Sequence, residues 1–312
     1  MKSTLKFYVS IVALAAMVLC IPLGAKDPSV AGAVPAKMTV TAGVDDGKLM
    51  PAIEKEDVFV KKGNDRLRVT NWVPATGENA GLELFILIDD ASISSLGLHL
   101  EELRAFINSQ PSTTSIGVGY ARNGSVEIRQ NFTVDHEIAA KALRLPVGSP
   151  GAFGSPYLSV ADLMKRWQDT PNRREVILIT DGIDRARRGN FANPDVDSAA
   201  SVAQRTGTMI HSIYFPGTGH WVRNFWESTN GQNNLSKLSD ATGGESFFLG
   251  RQAPVSFKPY LDDLQKTFDN QYLLTFLVTP GKKNGLQYVS VSTEIAGVDF
   301  NTADAVWTPG SK

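Results

Sequence analysis

Two short acidic segments, each closing an apolar run, hold the residues of this sequence that could do chemistry. The first is Asp89-Asp90-Ala91-Ser92-Ile93-Ser94, which reads Asp-x-Ser-x-Ser from Asp90 to Ser94. The second is Asp181-Gly182, at the end of EVILIT over 175–180. Carboxylates and hydroxyls are hard oxygen donors, suited to Mg²⁺ or Mn²⁺ rather than to softer metals. A turn aims alternate side chains at one point, so Ser92 and Ser94 can share an ion while a carboxylate from another strand end balances its charge. Mg²⁺ holds its waters tightly, so part of such a shell would be water-mediated. Plainer roles exist for the same residues. Asp90 and Ser92 are good helix N-caps, and Asp181-Gly182 is a turn pair. The register also has two readings. With Asp90 first the motif is intact, whereas with Asp89 first Ala91 and Ile93 replace both serines.

The pattern around these segments predicts the elements that must position them. Residues 82–88 (LELFILI) and 175–180 are nearly continuous apolar runs, as in strands buried on both faces of a parallel sheet. A helix follows the first run, with Leu96, Leu100, Leu103 and Ile107 on one face. Runs 115–120 and 125–131 flank Arg122-Asn123-Gly124, a strong hairpin signal. Further helices fit 136–143, the stretch carrying Tyr157, Val160, Met164 and Trp167, 195–206, 235–242 and 257–270. Strands fit 208–215 and 245–249. This alternation implies an α/β fold with a doubly wound, mostly parallel central sheet and helices on both faces. Small antiparallel β regions flank it, at 38–44 and 57–71 before and at 271–308 after. In such sheets ligands lie at the carboxyl ends of strands near the switch point, which is where Asp89, Asp90 and Asp181 fall.

The stretch from about Leu82 to Asn270 resembles the von Willebrand factor A-type family. The likeness rests on strand–Asp-x-Ser-x-Ser–helix, the hairpin after it, ILITDG, and the Ala-Thr-Gly-Gly within 238–248. The resemblance implies a metal-ion-dependent adhesion site, with Asp90, Ser92 and Ser94 matching its first motif and Asp181 its last acidic position. Ser155 stands where the family usually has a Thr. It further implies that Mg²⁺ or Mn²⁺ keeps one coordination position for an acidic side chain of a protein partner. The flanking β regions are similar to those of bacterial secreted members.

The remaining residues bound the function. Lys2 and Lys6, the apolar run 7–21 and the end Pro22, Gly24, Ala25 read as a secretory signal peptide over 1–25. The chain then divides into 26–79 (an Ala/Pro/Gly leader over 26–37, then a small β region), 80–270 and 271–312. The mature protein is expected in the periplasm or outside the cell with no membrane span, the alternative being an anchor made by the N-terminal run. Lys plus Arg is 31 and Asp plus Glu 32, so no basic excess points to nucleic acid. The one cysteine, Cys20, lies in the signal, which excludes an intramolecular disulfide and a cysteine nucleophile. There is no Gly-x-Ser-x-Gly elbow and no phosphate-binding loop. His211 lies in an apolar strand and reads as a core residue, and no general base is marked. A binding module is therefore expected rather than an enzyme. The alternatives are a metal-free structural or assembly protein of the envelope and, less favoured, a metal-dependent hydrolase. Segment 216–233, about 18 residues, is expected as a long loop carrying His220, Trp221, Phe225 and Trp226. Those rings form a recognition loop or, slightly favoured, pack on the flanking β region. Arg173, Arg174, Arg185, Arg187 and Arg188 bracket the second strand and are expected mostly on a solvated face. An arginine among them could instead neutralise Asp89 or Asp181 and replace a metal.

Overall fold

The apolar runs form the centre of the molecule because residues buried on both faces can sit nowhere else. The structure, a computed structural model, describes residues 32–44, 48–151, 154–186, 194–218 and 224–311. The expected signal peptide, Arg187, Arg188, His220 and Trp221 lie outside the described residues. The elements in chain order are β1 (Val34–Val44), β2 (Val58–Lys62), β3 (Asp65–Pro74), β4 (Leu82–Asp89), α1 (Leu100–Ser109), β5 (Thr114–Arg122) and β6 (Ser125–Thr133). Then come α2 (His136–Lys141), α3 (Pro156–Arg166), β7 (Arg173–Thr180), α4 (Pro194–Thr206), β8 (Thr208–Tyr214), α5 (Phe225–Thr242) and β9 (Ser246–Phe247). The chain closes with α6 (Lys258–Asp269), β10 (Gln271–Val278), β11 (Gly285–Tyr288), β12 (Ser290–Thr293), β13 (Val298–Thr302) and β14 (Ala305–Thr308).

The central sheet has the order β6-β5-β4-β7-β8-β9. All its neighbours are parallel except the β5–β6 hairpin. That hairpin turns through Asn123 and Gly124, both at positive φ, the conformation an Asn-Gly turn supplies. Alternate residues of β4 feed two cores. Leu84, Ile86 and Ile88 pack with α1, α2 and α6, while Phe85 and Leu87 pack with α3, α4 and α5. The fold class read from the periodicity is the one observed. β4 and β7 are neighbours with connections leaving in opposite directions, so the switch point lies between them.

Strands of the two flanking β regions join in one six-stranded sheet, while β11 and β14 pair as a separate two-stranded sheet. The order of the larger sheet is β12-β2-β3-β10-β1-β13, with β10 between β3 and β1. β1 begins at Val34, where a flexible leader was expected, because Val34–Thr41 pairs residue by residue with Gln271–Val278. Ladder hydrogen bonds outweigh the Ala/Pro composition there. Segment 271–308, expected as a small antiparallel β region, holds five strands. The expected loop over 216–233 is also shorter than read, because α5 starts at Phe225 with Asn224 capping it through Trp226 N–H at 3.0 Å. Its first turns bury Ser228, Gly231 and Asn234. Small and polar residues on the inner face hide helical periodicity.

Both chain crossings between the sheets meet at Arg173. Its guanidinium donates to Ala80 O at 3.1 Å, to Phe268 O at 3.3 Å and to Gln271 Oε1. Burial pulls Arg173 below its ordinary range, against Glu175 and Asp269. Replacing it by Met strands the buried Phe268 O and Gln271 Oε1 and the part-buried Ala80 O. Arg173→Met should lower stability by about 3 kcal/mol, read from urea unfolding midpoints.

Candidate functional site

The carboxyl ends of β4 and β7 bring together most of the acids read from the sequence. Asp89 points into the sheet end. Its Oδ1 accepts Ala91 N–H at 2.8 Å and its Oδ2 accepts the Thr180 hydroxyl at 2.7 Å. Desolvation by burial, with Asp181 nearby, pushes Asp89 up to about 6, against Arg185, Thr180 and Ala91. Asp90 is fully buried and is gripped from both sides. Arg144 donates to Oδ1 at 2.7 Å and to Oδ2 at 2.9 Å, and Val147 N–H adds a bond to Oδ1 at 3.2 Å. Tyr120 seats that arginine. The guanidinium lies 3.7 Å from the ring centroid, and the phenol donates to Arg144 O and accepts Arg144 N–H, at 2.7 and 2.6 Å.

Asp181 is arranged in the same way by a different arginine. Arg185 donates to Oδ1 at 3.1 Å and to Oδ2 at 2.5 Å, and Ile183 N–H closes the expected Asx-type turn at 2.9 Å. Burial opposes the charge of Arg185, yet the Asp181 carboxylate, with Asp89 and Asp184 behind it, holds it above its ordinary value. The pair needs Gly217, where an added Cβ would come within 2.2 Å of Asp181 Oδ2.

The hydroxyls divide. Ser155 caps α3, accepting Leu158 N–H at 3.4 Å. Ser94 is exposed at the start of the 3-10 turn Ser94–His99. Ser92 is buried and its Oγ has no partner. Neither Asp90 nor Ser92 caps a helix. The N-cap of that turn is Ile93, with no side-chain bond, because Arg144 holds the Asp90 carboxylate. Of the five expected donors, Ser92 alone is both buried and without a hydrogen-bond partner. The other two hydroxyls are a cap and an exposed residue, and both carboxylates carry bidentate guanidinium groups. No cluster of three His, Cys, Asp or Glu able to hold a metal occurs among the described residues. The donor set does not fit Mg²⁺, which needs oxygens not already bonded to cations.

The arginines correct a further expectation. Arg173, Arg174 and Arg185 are buried, not on a solvated face. Arg173 and Arg185 satisfy buried acceptors, and Arg174 bonds Gln168 O and the exposed Asp169 carboxylate, as isolated buried charges cannot persist. Sequence reasoning missed Arg144 altogether. It lies 54 residues from Asp90, and nothing local links them. His211 is a core residue as expected. Glu245 N–H donates to its Nδ1 at 3.0 Å, so Nε2 carries the proton toward Glu175 Oε2 at 2.8 Å.

Apolar side chains surround the buried pairs. Leu98, Leu145 and Val147 are exposed beside Arg144, and Phe225, Trp226 and Leu249 are exposed on the same edge. Phe225 and Trp226 pack edge to face on each other at 5.4 Å, with Arg251 5.2 Å from the Phe225 ring. They do not pack on the flanking sheet, because α5 carries them to the far edge.

No protein-family model matches the chain, and no curated protein matches it in sequence. Solved structures do match. The conserved hypothetical protein BatB from Bacteroides thetaiotaomicron is 12% identical with a TM-score of 0.43, over 60% of this chain and 97% of that one. An aerotolerance-related membrane protein from Bacteroides fragilis is 12% identical with a TM-score of 0.41, over 61% and 99%. The manganese-loaded TRAP protein of Plasmodium vivax is 13% identical with a TM-score of 0.41, over 74% and 94%.

Asp89 gives a pH test of this arrangement. Its folded value lies above its ordinary 3.8, so the neutral acid favours the fold. That contribution is complete below about pH 4 and is lost as pH rises through about 6. Relative to Asp89→Asn, the wild type should lose about 2–3 kcal/mol between about pH 4 and about pH 7, measured by urea unfolding across that range.

Proposed function

We propose that this chain is an exported protein-binding module of von Willebrand A type that works without a metal. One observation carries the reading. Arg144 and Arg185 each bind, with both guanidinium nitrogens, a carboxylate that a metal-dependent site would use. A bidentate guanidinium supplies the charge balance an ion would supply, and it is covalently attached. The loops at this edge are tied to each other as well. Ile93 N–H bonds Pro216 O, Ser149 N–H bonds Asp90 O, and Thr218 N–H bonds Ala91 O, at 2.7–3.1 Å. A fixed edge with exposed aromatic side chains suits a protein partner, because such rings supply most of the binding energy where they are buried on contact. The partner engages Phe225, Trp226 and Leu249 through apolar side chains rather than by giving a carboxylate to an ion. Among the described residues of the edge no nucleophile is paired with a base, which favours binding over catalysis. Export is supported by the charged start and apolar run before Ala25. No helix among the described residues is long and apolar enough to cross a membrane.

Melting temperatures test the metal half of the reading. Mg²⁺ or Mn²⁺ at about 5 mM should move the wild-type midpoint by less than about 1 °C, while Arg144→Ala with Arg185→Ala should gain several degrees from the same ion. A wild-type gain of several degrees would overturn the reading. For the binding half, a partner retained from an envelope extract should stay bound in EDTA and be lost with Trp226→Ser. Loss in EDTA would restore the ion to the mechanism.

A further inference from the structure

The opposite end of the central sheet holds a cleft that none of the above uses. It has a volume of about 350 Å³ and opens between β6 and the C-terminal end of α3, over Glu83 and Phe85 of β4. Roughly 20 Å of β4 separates it from Asp90. Phe85, Phe132 and Trp167 make a continuous aromatic wall, with ring centroids 4.7–6.2 Å apart. Gly117 and Gly119 leave room for Phe85. An added Cβ at either would fall within 3.0 Å of that ring.

The cleft is lined by one carboxylate, Glu83, and one guanidinium, Arg166. Glu83 is 7% exposed. Its Oε2 accepts Trp167 Nε1–H at 2.6 Å, and no other donor among the described residues bonds it. A nearly buried carboxylate with an unused oxygen is a strong acceptor for a cation. Phe132, the most exposed of the three rings, adds aromatic surface, and the end of α3 adds the negative end of its dipole. Arg166, which lines the cleft, and Arg174 beside Trp167 are bonded to other acceptors. Arg166 bonds Val126 O, Ser125 Oγ and Asp162. Arg174, 6.0 Å from the Trp167 ring centroid, bonds Gln168 O and Asp169.

We propose that this cleft binds a small organic ammonium ion, of the quaternary or methylated-amine class, between Glu83 and the Phe85–Phe132–Trp167 wall. The volume admits a small molecule.

Choline and its neutral isostere 3,3-dimethylbutan-1-ol test the assignment on the full chain, followed by tryptophan fluorescence and calorimetry. Choline should saturate in the millimolar range or below, with the isostere at least about tenfold weaker. Glu83→Gln should cost choline about tenfold and leave the isostere unchanged. Phe132→Leu, on the half-buried edge strand, should weaken choline several-fold without touching the carboxylate. Equal affinity for the two probes, no choline binding at about 50 mM, or full choline affinity in folded Glu83→Gln and Phe132→Leu would each overturn the proposal. The exposed-side variant Trp226→Ser should leave choline binding intact, which keeps this site separable from the opposite edge.

Discussion

A carboxylate removed from water must meet a positive charge or take up a proton, and the centre of this molecule is organised by that constraint. Three aspartates converge where β4 and β7 end, and all are buried. Two are paired with guanidinium groups from separate segments, and the third is pushed toward its neutral form. Truncating either arginine would leave a buried charge uncompensated, a loss of about 3–5 kcal/mol. The close approach at Gly217 and the seating of Arg144 on Tyr120 follow from holding those pairs in place.

The same constraint separates this edge from a metal-dependent one. An ion would need the oxygens that the arginines hold, and the cation already present is part of the chain. A fixed internal cation gives a preorganised surface that does not vary with divalent ion concentration. In the proposed function the exposed rings beside it are the surface that meets the partner. At the opposite end Glu83 stands in contrast, a nearly buried carboxylate with no guanidinium assigned to it and aromatic rings around it.

Much of the fold was legible in the sequence, because burial on two faces writes itself into β4 and β7 as unbroken apolar runs and into α1 and α3 as helical spacing. The Asn123-Gly124 turn was equally plain, since few other pairs take positive φ twice. Less was legible where inner faces are polar or small. α5 buries Ser228, Gly231 and Asn234, so its first turns read as loop. The six-stranded flanking sheet was hidden as well, because pairing of Val34–Thr41 with Gln271–Val278 joins the two ends of the chain through backbone groups that carry no sequence signature.

By itself the sequence determined which acids stand at the strand ends, that they sit at the switch point of a doubly wound sheet, and that an arginine was one of the two cations able to balance them. Only the tertiary structure decided between arginine and metal. The choice depends on where the guanidinium of Arg144, 54 residues away, comes to rest. Local propensity fixes strands and turns through near neighbours. Charge compensation in a buried site is settled by whichever group the packed chain delivers within about 3 Å, the reach of a hydrogen bond.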